Sequence, residues 1–236
     1  MFSASWSRVC PRIVIGVRQI KSRLNSNSTI LQQAALAVLE RSRQRPTPEQ
    51  VVQALLDVEK VNKQQKVRYS LSDLTGNWRL CFITSTRKTR QRAGVVLGAG
   101  RYVPSLITIS LAYAESPLAA SSSIATDDAS HSSSFEVGNV TNQVQLGQLQ
   151  MALSGPAKLL VKNNILAFDF TRITLQLSKF PLYQGTVRGG EASEAKFYSA
   201  SVGAEKQAFF NYFLVQKDII AARGRGGGLA LWGRQA

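Results

Sequence analysis

The side chains that most often carry catalysis are few and scattered in this sequence. His131 is the single histidine and lies between Ser130 and Ser132, and the Gly-x-Ser-x-Gly elbow of many serine hydrolases is not present. Asp127 and Asp128 lie close by, but two carboxylates and one imidazole are too few ligands to indicate a metal site. We therefore expect a protein that is not an enzyme and that has no catalytic residues, no metal and no cofactor.

The composition instead favours a binding protein with an anionic partner. The chain has 236 residues, of which 44% are hydrophobic, and 29 Lys and Arg against 14 Asp and Glu give a formal net charge of +15. Such a charge attracts nucleic acid, phosphate groups or an acidic membrane surface. No run of 18 apolar residues occurs, so the sequence gives no sign of a transmembrane helix.

Residues 1–28 are basic and Ser-rich, and the first acidic residue of the chain is Glu40. This composition is typical of an organellar transit peptide, but a basic disordered tail would have the same composition. The two cysteines, Cys10 in this segment and Cys81 in a predicted strand, are not expected to form a disulfide, which fits a reducing compartment.

The remaining sequence divides into a helical preface and a long run of strands. Apolar residues at helical spacing over residues 29–44 predict a first helix, and Thr47-Pro-Glu-Gln50 is a capping box that predicts a second over about 48–60. From residue 72 to 234 short alternating runs follow one another at intervals of about ten residues, without helical crossovers. The predicted fold is mainly β, with two N-terminal α-helices (29–62) before an antiparallel β-barrel (72–234).

A family resemblance rests on motifs at both ends of this strand region. Gly-Asn-Trp at residues 76–78 resembles the Gly-x-Trp signature of lipocalins, and the fuller run 74–85 resembles the plastid lipid-associated protein (fibrillin) family. Residues 219–232 are similar to the last hairpin of that family, and residues 164–170 are also similar to it. The resemblance covers roughly residues 30–234 and implies a lipocalin-like barrel in plastids or cyanobacteria.

The resemblance also implies roles for individual residues. Gly76 and Trp78 would close one end of the barrel, with Arg223 stacked on the indole as a cation–π pair. Asp218 precedes Arg223 at a spacing similar to that of an Asp found in many members. Apolar side chains would line a ligand cavity, and those expected to do so are Trp78, Phe82, Ile109, Leu111, Leu153, Phe168, Phe170, Phe210 and Trp232. Because neighbouring strand residues face opposite sides, a slip of one residue would invert part of this set.

Basic residues are concentrated between Lys60 and Arg101, where ten Lys and Arg accompany a single Asp. The densest part contains Arg87, Lys88, Arg90 and Arg92, immediately before the apolar run 93–98. This combination predicts docking on an anionic membrane or lipid-droplet surface. Nucleic acid would also be attracted, but aromatic residues that stack on bases are not interleaved here, so no nucleic-acid partner is expected.

Two Arg-Gly-Gly segments and one acidic residue have simpler interpretations. Residues 224–228 are predicted to form a glycine-permissive β-turn, since no helix and no Gly-Lys-Ser/Thr follows as in a phosphate-binding loop. A second segment, Arg188-Gly-Gly190, keeps an RNA-binding module open as an alternative. Asp169 would be solvated beside Arg172, or would have a raised pKa if it faced the cavity.

The function expected from these observations is non-enzymatic binding of an apolar lipid or isoprenoid, such as a quinone, carotenoid or acyl lipid. The resemblance implies a structural or lipid-carrier role at thylakoid membranes or plastoglobules, in chloroplasts or in cyanobacteria. The alternatives are the RNA-binding module and a lipid-modifying enzyme on the same scaffold that uses Asp169 or Asp218.

Overall fold

The computed structural model describes residues 11–85, 100–116, 135–199 and 207–235. The helices are α1 (Pro11–Leu39), α2 (Pro48–Gln65), α3 (Leu71–Leu74) and α4 (Glu191–Ser199). The strands are β1 (Gly76–Thr84), β2 (Gly100–Tyr102), β3 (Ile107–Glu115), β4 (Glu136–Leu146), β5 (Leu149–Leu160), β6 (Ile165–Phe168), β7 (Arg172–Leu177), β8 (Phe180–Thr186), β9 (Ala208–Val215), β10 (Ile219–Gly224) and β11 (Leu229–Arg234). The prediction of a mainly β chain behind two N-terminal helices is confirmed.

The first helix begins at Pro11, although apolar spacing predicts it only from residue 29. Residues 17–39 contain neither Gly nor Pro, so nothing in this stretch interrupts a helix once it has formed. Residues 11–28, assigned from composition to a disordered tail or transit peptide, are thus helical, and residues 1–10 lie outside the described ranges. Import and cleavage of this segment stay predictions.

The second helix has the start that the sequence predicts. Thr47 Oγ1 accepts a hydrogen bond from the Gln50 amide, and the Gln50 side chain in turn accepts one from the Thr47 amide. The helix ends at Lys66, which takes a left-handed conformation and caps the last turn. α1 and α2 pack together on the outside of the barrel.

Eight antiparallel strands form a closed barrel, in the order β1, β11, β10, β9, β6, β5, β4, β3 and back to β1. The strand β5 is shared, because its second half pairs with β6 and its first half pairs with β7. The hairpin of β7 and β8 therefore extends the sheet of β3, β4 and β5 beyond the barrel wall. Closure removes the free edges that an open sheet of these strands would expose.

Apolar residues form two separate cores, one on each side of the barrel wall. The outer core joins α1 and α2 to the wall and includes Leu31, Leu55, Phe82, Phe213 and Leu231. The inner core receives at least one buried side chain from each of the eight barrel strands, which places it inside the barrel. Its members include Trp78, Tyr113, Val140, Leu159, Leu166, Tyr212, Ile220 and Trp232.

Candidate ligand site at the open end of the barrel

One end of the barrel is closed by an indole beneath an arginine. Trp78 is fully buried, its Nε1 donates to the Leu74 carbonyl at 2.7 Å, and the Arg234 guanidinium lies 4.0 Å from the ring centroid. Gly76 makes this approach possible, because a Cβ on it would lie only 2.4 Å from Arg234 Nη1. Gly76 and Trp78 are therefore at the closed end, where the sequence predicts them.

The cation on this indole is Arg234, and the prediction of Arg223 is wrong. Arg223 lies on the outer side of β10, where its guanidinium donates hydrogen bonds to both carboxylate oxygens of Glu59 on α2. The register of β1 and β11 pairs Trp78 with Arg234, so the antiparallel pairing itself brings these two residues together. No local sequence signal identified Arg234, because its position opposite Trp78 depends on the β1–β11 register.

The Arg223–Glu59 pair instead fastens α2 to the barrel. Glu59 also accepts a hydrogen bond from Lys63 at 2.8 Å, and its side chain is largely buried. Burial pushes the pKa of Glu59 up, but the hydrogen bonds from Arg223 and Lys63 outweigh burial and hold the pKa below its ordinary value. The carboxylate is thus ionised in the folded protein and joins the helix to the wall.

The segment before β1 covers the same end of the barrel. Tyr69, Leu71 and Leu74 are buried in the inner core, and the Leu71 amide donates to a Glu136 carboxylate oxygen. Asn164 holds the segment through its side chain, which accepts from the Tyr69 amide and donates to the Val67 carbonyl. This end is therefore closed by chain as well as by Trp78.

Phe82 was expected to line the cavity, but it lies in the outer core against the helices. The pairing of β1 with β11 shifts by one residue here: Leu80 pairs with Trp232, whereas Phe82 pairs with Leu231. Cys81 is the extra residue of this β-bulge, and a bulge turns the following side chains to the other face. Simple alternation along β1 cannot show such a shift.

Four of the other predicted liners, Phe168, Phe170, Phe210 and Trp232, form a connected series of rings on the inner face. Phe170 is 5.3 Å from Phe168, Phe168 is 5.1 Å from Phe210, and Phe210 is 5.4 Å from Trp232, measured between ring centroids. Phe168 and Trp232 are buried, whereas Phe170 and Phe210 are half-buried. The series thus runs from the filled interior toward the end opposite Trp78.

Deep in the barrel, two tyrosines fill the interior further. The hydroxyls of Tyr113 and Tyr212 are 2.6 Å apart, and both side chains are buried. Burial raises the pKa of both phenols, so neither ionises near neutral pH. Together with Trp78 and Trp232, these rings leave the closed half of the barrel packed with side chains.

The inner face of β3, β4 and β5 continues onto β7 and β8, beyond the barrel wall. Strand register aligns Leu111, the pairing partner of Trp78, with Asn142, Leu153, Ile173 and Gly185 in one cross-strand row, in which Asn142 is the polar member. A second row of apolar residues follows toward the strand ends, consisting of Ile109, Val144, Met151, Leu175 and Tyr183. The predicted liners Ile109 and Leu153 are half-buried here, while Leu111 is buried deeper in the inner core. We call these two rows, with Phe170 and Phe210, the mouth.

The two aspartates considered for catalysis lie away from the mouth's apolar rows. Asp169 accepts hydrogen bonds from Arg188 Nη1 at 2.8 Å and from the Phe170 amide, so its partner is Arg188. The partner expected from sequence, Arg172, binds Glu194 instead. Asp218 is exposed, and its carbonyl accepts from the Arg234 amide.

Both Arg-Gly-Gly segments are turns. Residues 224–228 connect β10 to β11, with Gly227 at a φ of 81° and its amide bonded to the Gly224 carbonyl. Arg188 and Gly189 have positive φ and lead into α4. The predicted β-turn at residues 224–228 is confirmed.

A buried lysine lies on the outer side of the wall under α4. Lys158 has no solvent exposure, its Nζ donates to the Phe197 carbonyl at 2.6 Å, and the Phe197 ring centroid lies 4.7 Å away. Burial lowers the pKa of Lys158 to about 8. Sequence reasoning missed this residue because its neighbours in β5 are apolar or small on both faces.

A crevice of about 130 Å³ with both polar and apolar lining lies beside the end of α2. Its lining includes Lys63, Lys66, Arg68 and the side chains of several asparagines. An apolar ligand would have to strip water from these groups, so the crevice does not suit one.

The remaining predicted site residues lie outside the described part of the chain. Arg87, Lys88, Arg90 and Arg92, predicted to dock on a membrane, and His131 lie outside the described residues. Within the described ranges, no three His, Cys, Asp or Glu side chains gather as metal ligands. None of the described helices is long and apolar enough to cross a bilayer.

Comparison with known proteins gives no relative. No family model, no curated protein and no solved structure matches this chain.

Proposed function

We propose that this protein binds an apolar lipid or isoprenoid at the mouth of its barrel and catalyses no reaction. A quinone, a carotenoid or an acyl lipid is the class of ligand. The observation that carries the proposal is the continuation of the barrel's apolar inner face into half-buried rows at the mouth. Partly exposed apolar surface that is joined to a filled core is where an apolar molecule gains most by leaving water.

The size of this gain is adequate for a useful affinity. A long isoprenoid or acyl chain whose binding removes roughly 500 Å² of apolar surface from water, counted over ligand and protein, gains about 12 kcal/mol at 25 cal/mol per Å² before association costs. Those costs are several kcal/mol, so micromolar rather than picomolar binding is expected. The aromatic series of Phe170, Phe168 and Phe210 would contact the ligand by ring stacking where the ligand carries double bonds.

The cellular setting belongs to the same proposal. The resemblance to the plastid lipid-associated protein family and the basic, Ser-rich N-terminus support a place at thylakoid membranes or plastoglobules, in a chloroplast or a cyanobacterium. The net charge of +15 supports an anionic membrane or lipid-droplet surface as a partner. The role would be structural or that of a lipid carrier.

The first test is mass spectrometry of an organic extract from protein purified without detergent. The proposal expects a lipid or isoprenoid in stoichiometric amount, and a repeatedly lipid-free extract together with no binding of added quinone or fatty acid would refute it. Phe170→Ala should weaken binding of the added ligand by about tenfold, because a half-buried ring at the mouth is lost.

Ile165→Ala is the matched control. Ile165 is also half-buried, but it alternates with Leu166 and Phe168 of the inner face and so lies on the opposite side of β6. Equal losses of affinity in both variants would point to general destabilisation instead of a site at the mouth.

A further inference from the structure

Five neighbouring strands, β3, β4, β5, β7 and β8, end beyond the mouth in a row of exposed apolar side chains. Register places Ile107 opposite Leu146, Leu146 opposite Leu149, Leu149 opposite Leu177, and Leu177 opposite Phe180. We call these five residues the tip row. With neighbouring strands 4.7–4.9 Å apart, the row extends about 19 Å across the sheet.

The tip row is exposed to an extent that is unusual for contiguous apolar residues. The exposed fraction is 47% for Leu146, 45% for Leu149, 45% for Leu177 and 75% for Phe180. Leu106, which comes just before the row in the loop to β3, is 74% exposed. Single exposed leucines are ordinary on a protein surface, but a continuous line of them marks an interaction surface.

The other face of the same strands is polar, so the tip row is not a by-product of generally apolar strands. The row behind it on that face is Thr108, Gln145, Gln150, Gln176 and Pro181. One face is thus suited to water, and the other face presents apolar groups in three successive rows from the mouth to the tips.

The charge around the tip row fits an anionic surface. The three segments that build this part of the sheet are residues 107–114, 139–154 and 172–188, and they contain three cations and no carboxylate. Lys179 lies in the β7–β8 turn between Leu177 and Phe180. Arg172 and Arg188 are ion-paired, which leaves Lys179 as the cation of these segments that makes no described ion pair.

The exposed apolar area of the tip row suits contact with a lipid surface better than contact with a second protein. The exposed apolar area of the tip row and Leu106 is roughly 500 Å², whereas a stable protein interface buries about 800 Å² on each partner. A narrow line of apolar side chains at turn tips, flanked by lysine, can enter the headgroup region to a depth of about 5–10 Å. A second protein would find little of the flat, enclosed contact that it needs.

The geometry points to the tip row as the surface that docks this protein on an anionic lipid surface, with the barrel mouth directed toward the lipid. This inference rests on the membrane association in the proposed function and assigns it to a surface different from the basic run 87–92. A ligand could then pass from the bilayer along the tip row and the row of Ile109 and Leu175, both apolar, to Leu153 and Ile173 at the mouth.

The test is flotation of the full chain with vesicles of phosphatidylcholine containing phosphatidylglycerol. Leu177→Gln combined with Phe180→Gln should lower the vesicle partition coefficient by about tenfold or more, because two anchoring side chains lose their transfer free energy. Leu36→Gln on α1 is the matched control, since Leu36 is 48% exposed but lies away from the tip row, and it should partition like wild type. Lys179→Glu should weaken binding to anionic vesicles and leave binding to neutral ones little changed.

The outcomes separate this inference from the proposed function. If wild type floats and the double variant floats equally well, the tip row is wrong and another surface must dock the protein. If wild type does not float, the membrane association itself fails, while ligand binding at the mouth is judged by its own assay. If the double substitution instead converts a dimer to a monomer in sedimentation, the row is a contact between copies and the inference is overturned.

A second measurement does not depend on apolar substitutions. In a Cys10→Ser background, an environment-sensitive dye on Ser178→Cys in the β7–β8 turn should shift to the blue when vesicles are added. The same dye on Ser72→Cys, exposed in α3 at the closed end, should not shift. Equal shifts at both ends would contradict the proposed orientation.

Discussion

Gly76→Ala should destabilise this protein far more than an ordinary glycine substitution. Gly76 has a φ of 129°, which side chains with a Cβ rarely adopt, and the added Cβ would lie 2.4 Å from Arg234 Nη1. The alanine therefore imposes backbone strain and also displaces the guanidinium from the Trp78 ring.

The magnitude has two parts. Backbone strain of this kind costs about 1–3 kcal/mol. Displacing Arg234 forfeits a cation–π contact of about 0.5–2 kcal/mol and disturbs its hydrogen bonds to the carbonyls of Lys217 and Thr75. The sum is about 2–5 kcal/mol, which for a chain of this length lowers Tm by roughly 4–20 °C.

The assay is urea unfolding followed by tryptophan fluorescence, with Gly147→Ala as the control. Gly147 also has a positive φ, of 58°, but no heavy atom lies within 4 Å of an added Cβ, so only about 1 kcal/mol should be lost. In an Arg234→Ala background, Gly76→Ala should cost only its backbone part, giving a coupling energy of about 1–2 kcal/mol. A cost equal to that of Gly147→Ala, or full additivity with Arg234→Ala, would refute this account of the closed end.

Three further predictions concern titratable groups. Because the pKa of Glu59 is lowered on folding, its contribution to the free energy of unfolding is present above the ordinary pKa of 4.5 and is lost as pH falls through the folded pKa. Glu59→Gln should therefore flatten the acid side of the stability–pH curve and cost about 2 kcal/mol near pH 7, as measured by urea unfolding. An unchanged acid side would contradict this. The pKa of Lys158 falls from 10.5 to about 8 on folding, so the free energy of unfolding should rise between pH 8 and 10.5, where the unfolded chain still holds the proton and the folded protein does not. Lys158→Met should abolish that rise. A rise that persists in this variant would have another cause. Burial raises the pKa of the Cys81 thiol to about 12. In a Cys10→Ser background, iodoacetamide at pH 8 should therefore modify Cys81 only after unfolding, as measured by mass spectrometry. Rapid modification of the native protein would show that the outer core opens.

The mainly β architecture was predictable because it depends on periodicity, which is local. Short alternating runs without helical crossovers leave few arrangements other than an antiparallel sandwich or barrel, and the capping box at Thr47 fixed the start of α2. The Gly-x-Trp motif at residues 76–78 also indicated which end of the barrel would be closed.

Two errors in the site came from interactions that no local pattern shows. Phe82 alternates correctly with Leu80 in the sequence, but the β-bulge at Cys81 turns it toward the helices. Arg223 was favoured by its place near the final turn, yet the partner of Trp78 is set by the β1–β11 register, which selects Arg234. The charge of Arg223 is neutralised by Glu59, more than 160 residues away in the chain.

The start of α1 was missed for a different reason. Residues 1–28 are basic and Ser-rich, and this composition indicated a disordered tail or a transit peptide. The helix was therefore predicted only from residue 29, although composition does not decide whether a segment is helical.

Because β5 pairs with β6 along one half and with β7 along the other, the β7–β8 hairpin and the barrel are expected to open at different free energies. Around Gly155, where the Asp169 carbonyl occupies the space of a Cβ, the pairing of β5 passes from β7 to β6. The ring of eight strands closes without β7 and β8, so this hairpin can detach while every hydrogen bond around the ring is kept. Amide protons of β7 should then exchange through a low-energy opening of the appendage, and those of β6 only when the ring itself unfolds.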